Sequence, residues 1–180
     1  MSDVRQYVEE NRGLLKKIEL SIPGFRGYRI REDLRTADNI LRSYMANQIG
    51  TEIKRPIEEV AEKLTKLLEL DSIGEVRECL NQIKGLEAKI RHAEHGYSGI
   101  SPQFKIEEKE LNRIYEFDMT LLNQLHDIQG KANSLDNLIN DNKMKELKMA
   151  INEIKKQGRA FEDTFNQRLS FIKIDDAHEG

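Results

Sequence analysis

Four residues with phosphate- or carboxylate-binding chemistry crowd one short stretch, "SIPGFRGYRIREDLRTADNILR", Ser21 to Arg42. Arg26 and Arg31 offer planar forks that match an oxyanion. Tyr28 adds a ring and a hydroxyl, and Arg35 lies one helical turn beyond Arg31. At the start of a helix such a group could hold a phosphate or carboxylate. The same residues also suit a plainer role. Glu32, Asp33 and Asp38 lie within reach of Arg29, Arg31, Arg35 and Arg42, and charged helix faces are commonly solvated or self-paired. Ile22, Gly24, Gly27, Ile30 and Arg31 fit the I-x-G-x-x-G-x-x-I-R form of KH nucleic-acid loops. A KH domain surrounds that loop with strands, whereas helical periodicity flanks it here. A helix–helix corner relaxed by glycine and plugged by an aromatic is the structural alternative.

A second loop, from His92 to Asp118, carries the other candidates. Tyr97 sits in "HGYSG". Asp118 occupies an apolar helical stripe, where a buried acid requires a partner such as an Arg or a loop amide. It is either a proton acceptor or a register-fixing structural group, and polar seam residues commonly take the second role. His92 and His95 are spaced to share a helical face, with Glu87 and Glu94 nearby, and are weak metal candidates. The Glu-x-x-His pair of di-iron bundles is missing, so no metal or other cofactor is expected. Cys79 lies beside a core position without a neighbouring histidine, which speaks against a nucleophile.

These residues must be positioned by helices. The chain has 180 residues, 34% charged and 38% hydrophobic, with 3 Pro and a net charge of −3. This balance favours amphipathic helices and supplies no global field for nucleic acid. No apolar run approaches the roughly 20 residues that span a bilayer. With a single cysteine and no signal-peptide core, a cytoplasmic protein is expected.

Periodicity predicts a helix over 1–22, capped by Ser2 and ended by Pro23. Leu34, Ala37, Leu41, Met45, Ile49, Ile53, Ile57, Val60, Leu64 and Leu68 form a stripe over 30–70, either one helix kinked at Pro56 or two helices meeting there. Ser72 and Glu75 read as a capping box opening a helix over 72–95, with Val76, Leu80, Ile83, Leu86 and Ile90 on one face. Steps of three and four from Leu111 to Ile139 and from Met144 to Phe165 predict helices over 107–140 and 142–172, turning at "NDNK". No stretch alternates with period two. The fold class is therefore all-α. One domain over 1–180 is expected, an elongated bundle with a long C-terminal antiparallel coiled-coil-like hairpin.

The two loops together resemble the signatures of an uncharacterised family of prokaryotic all-helical proteins. "IPGFRGY…ADNILR" is similar to its P-G-x-x-G-Y and A-D-x-x-L-R. "HGYSG…LNRIYEFD" is similar to its Y-G-Y-S-G and L-Y-E-x-D, with His95 where the family pattern has Tyr. The resemblance covers residues 22–128 and implies an all-α fold without implying a reaction. The function expected from the chain is non-enzymatic: a protein-interaction or scaffold protein, with a protein partner or a second copy of itself, working through helix faces and the two Gly-aromatic loops. The alternatives are an anion- or phosphate-binding protein or small enzyme that uses the loop arginines with Asp118, and nucleic-acid binding through the GxxG loop.

Overall fold

The structure, a computed structural model, describes residues 13–25, 31–93 and 108–177; the side chains of 31–35, 108–109 and 173–177 lie outside the described set. The fold is all-α, and among the described residues there is no strand. In chain order the elements are α1 (13–21), α2 (Arg31–Gln48), a π-helical segment (Ile49–Lys54), α3 (Arg55–Lys66), α4 (Leu70–His92), α5 (Glu108–Asn140) and α6 (Met144–Ala177). Among the described residues, no helix is long and apolar enough to cross a membrane. Two compact units form: residues 1–44, 94–122 and 164–180 make the first, and 45–93 with 123–163 make the second.

In the second unit, ion pairs between helices give the directions. Lys54 meets Glu87 and Glu58 meets Lys84, so α4 runs back along the π segment and α3. Glu78 meets Lys155 and Lys89 meets Glu162, so α6 runs the same way as α4. Gln129 bonds Gln48 and Asp136 pairs with Lys63, so α5 runs with α3. The result is an up-down-up-down arrangement closed over an apolar core. That core takes Met45, Ile49, Ile53, Ile57, Val60 and Leu64 from the first run. It takes Val76, Cys79, Ile83, Leu86 and Ile90 from α4, and Leu125, Ile128, Leu135, Ile151, Ile154 and Phe161 from α5 and α6. Cys79 is in the core itself, at 0% exposure, and Leu80 is only half-buried. The seam of α4 therefore passes through the thiol and not beside it.

The backbone stays helical from Arg31 to Lys66. Met45, Ile49, Ile53 and Ile57 recur every fourth residue. In a regular α-helix, at about 100° per residue, three such steps would turn Ile57 about 120° away from Met45. Both are nevertheless fully buried. The π segment reconciles the two facts, because its wider turn holds more residues and keeps every fourth one on the same side. Pro56 follows immediately, in the first turn of α3. Lacking an N–H, it cannot bond the carbonyl four residues back.

The expected capping box at Ser72 is not formed. α3 ends two residues after Leu64, α4 begins at Leu70, and Ser72 is buried inside α4. The turn between them closes on backbone alone. The Glu69 amide donates to the Leu64 carbonyl at 3.1 Å and the Leu68 amide to the Thr65 carbonyl at 3.3 Å, with Leu68 at φ 60°. This is a Schellman closure, with a leucine where glycine is usual. Leu68 thus leaves the stripe to which its spacing assigned it, and is 78% exposed. The α5–α6 turn closes in the same way around Asn142 at φ 57°, with the Lys143 amide on the Leu138 carbonyl at 2.8 Å.

Candidate functional site

The core of the first unit differs in kind from that of the second. Apolar Ile18, Ile22, Phe25, Ala37, Leu41, Ile114, Leu121, Phe165 and Ile172 surround four buried charges, Asp38, Arg42, Asp118 and Arg168. Asp38 and Arg42 are one turn apart on α2, Asp118 takes a seam position of α5, and Arg168 takes a seam position of α6. The α6 seam runs Leu147, Ile151, Ile154, Gly158, Phe161, Phe165, Arg168, Ile172, so a guanidinium stands where the spacing calls for an apolar side chain.

The four charges form one connected chain. Arg168 Nε donates to Asp118 Oδ1 at 2.6 Å, and Arg168 Nη1 donates to Asp38 Oδ1 at 2.7 Å. The other Asp38 oxygen accepts from Arg42 Nε at 2.8 Å, and Arg42 Nη2 reaches Asn39 Oδ1 at 2.7 Å. Two arginines and two aspartates sum to zero charge, which allows all four to stay ionised out of water. Burial pushes the Asp38 carboxyl up, but the charges of Arg168 and Arg42 and their hydrogen bonds outweigh it and hold the group below its ordinary value.

Asn39 carries this chain to the surface. It lines a shallow open depression with Ile22, Pro23, Ile40, Ser43 and Tyr44. The floor owes its shape to the corner after α1. Pro23 follows the last helical residues, Gly24 takes φ 83°, and Phe25 turns inward to 4% exposure. At this corner the aromatic side chain packs into the bundle.

Of the residues marked by sequence, Asp118 is placed fully inside, at 0% exposure and on Arg168. Arg31 and Arg35 lie on α2, with side chains outside the described residues; Arg26, Tyr28, Tyr97 and His95 lie outside them altogether. His92 ends α4 and is exposed. Among the described residues, no three His, Cys, Asp or Glu side chains are grouped to hold a metal. Burial pushes the Cys79 thiol up to about 12, so it stays protonated. Arg168 was missed by the sequence reading, although continuing the α6 spacing one step past Phe165 lands on it.

The second unit carries a different kind of feature. Leu67, Leu68 and Leu70, at the α3–α4 turn, are 55%, 78% and 74% exposed. Lys66 precedes them and Asp71 comes after them, both exposed, and neither makes an ion pair among the described residues. Comparison with family models, curated proteins and solved structures finds no match to this chain.

Proposed function

We propose that the protein is a non-enzymatic interaction or scaffold protein, with the α3–α4 turn as a contact point. The observation that carries this reading is Leu68. A leucine at φ 60° costs roughly 1–2 kcal/mol against a conformation that glycine adopts freely, and its side chain is given to solvent rather than to the core. Two further exposed leucines flank it. An apolar cluster of this kind on a water-facing turn gains free energy when a partner covers it. The long seams of α5 and α6 fit a coiled-coil-like scaffold behind it. The reading as an anion binder or enzyme built on Asp118 has less support, because that carboxylate is fully buried and already faces a guanidinium.

The test immobilises the full chain and a Leu67→Ser/Leu70→Ser variant of unchanged thermal midpoint, and compares what each retains from a soluble cell extract. A partner held by the parent and lost from the variant is expected. Identical retention by the two would remove the turn from the proposal.

A further inference from the structure

We infer that the depression beside α2 holds an uncharged, extended peptide segment of another protein, with one apolar side chain on its floor and a backbone carbonyl on the Asn39 amide. The site lies within the first unit and shares no residue with the α3–α4 turn, so either can fail without the other.

The chemistry starts at Asn39. Its side-chain oxygen accepts from Arg42 Nη2 at 2.7 Å. A guanidinium can only donate, so this contact fixes which end of the amide faces Arg42 and leaves both N–H groups free. Neither of them makes a hydrogen bond among the described residues, and the hydroxyls of Ser43 and Tyr44 make none there either. Arg42 is 4% exposed and is clamped by Asp38, which Arg168 holds in turn. The amide is thus an exposed donor mounted on a buried net, the support that a binding group requires. What it selects is an acceptor.

The surroundings select a neutral one. From Thr36 to Gln48, α2 carries two charged residues, Asp38 and Arg42, and both are buried. Its exposed residues there are Thr36, Asn39, Ser43 and Asn47. The chain is 34% charged, yet this face shows no charge, the depletion found at the centre of protein interfaces. With no cation among the described lining residues, the amide has little to offer a phosphate or a carboxylate. Ile22, Pro23, Ile40 and the Tyr44 ring make the floor apolar. The depression is open, so it covers one side of its occupant. A free small molecule is normally enclosed over most of its surface, whereas a side chain presented by a longer segment is not.

Titration of the full, isotope-labelled chain with N-acetyl-leucine methylamide tests this, read from the Asn39 side-chain amide signals. These should shift and saturate, at millimolar concentrations for so small a probe. N-acetyl-glycine methylamide keeps the carbonyls without the side chain and should bind roughly tenfold more weakly. Asn39→Asp keeps an oxygen for Arg42 and replaces the donor by an acceptor. Its thermal midpoint should hold, while its affinity for the leucine probe, followed at the Ile40 and Ser43 backbone amides, falls roughly tenfold. The absence of a saturable shift overturns the inference. So do equal affinities for the two probes, which need no variant to measure, and undiminished binding by Asn39→Asp. Inorganic phosphate that saturates the same signals in place of the leucine probe overturns it too, and makes the depression an anion site.

Discussion

Arg168 and Asp118 lie fifty residues apart in sequence and 2.6 Å apart in space, both at 0% exposure. The same guanidinium holds Asp38 through Nη1. One side chain of α6 thereby fixes the rotation of α6 against α2 and α5 in the first unit, because shifting any of the three helices by a residue takes a charge off its partner.

Removing one member should cost more than removing a matched pair. Arg168→Leu takes away the guanidinium that neutralises the buried Asp118 carboxylate, and Asp118→Leu leaves Arg168 with one fewer anion. Each is expected to cost about 3–5 kcal/mol in urea unfolding. The double Asp118→Leu/Arg168→Leu variant keeps the Asp38–Arg42 pair and should be the least destabilised of the three. Additive losses would show that the two residues do not act as a pair.

Acid should act through Asp38. Its folded carboxyl titrates below the ordinary value of 3.8, so the stability it contributes is complete above that value and disappears as pH falls through the lower folded one. The thermal midpoint of the parent should hold down to about pH 4 and then fall as the pH is lowered further. Asp38→Asn is expected to be less stable at neutral pH and to show a shallower acid limb. Parallel acid limbs in the two proteins would assign the fall to other carboxylates.

Leu68→Gly should stabilise the chain by about 1 kcal/mol, since glycine takes the left-handed conformation without the steric cost of a Cβ. Asn142→Gly, at the equivalent place in the α5–α6 turn, should gain less, because asparagine tolerates that region better than leucine does. Urea midpoints of the two variants decide the order.

Much of this was legible because helical spacing is local. The seams of α4, α5 and α6 follow from steps of three and four, and Asp118 stood out as an acid within one. Its partner did not, because ion pairing between helices leaves no mark on the spacing of either chain segment, and Arg168 shows itself only as a break in an apolar row. Leu68 misled for a related reason. Hydrophobicity placed it on the stripe, but the chain had already left the helix, and the Schellman closure uses backbone groups that any residue carries. Ser72 misled because a serine one turn before a glutamate reads as a cap whether or not a helix has already begun.

The π segment has a cause that can be separated by subtraction. Removing Thr51, which is exposed and whose hydroxyl bonds back to the Asn47 carbonyl, changes the core spacing from four-four-four-three-four to four-three-four-three-four. A regular α-helix then keeps Met45, Ile49, Ile53, Ile57, Val60 and Leu64 on one face, so the wide turn is no longer required. Pro56, however, would then stand in the interior of an α-helix, at a cost of about 3 kcal/mol. Removal of Thr51 alone should therefore destabilise, and adding Pro56→Ala should recover most of the loss. In the parent, Pro56→Ala should change little, since the first turn of α3 tolerates proline. The difference between the two Pro56→Ala effects, read from urea unfolding, is expected to be about 2–3 kcal/mol. Equal effects in both backgrounds would mean that the register of the buried stripe, and not the proline, alone maintains the π turn.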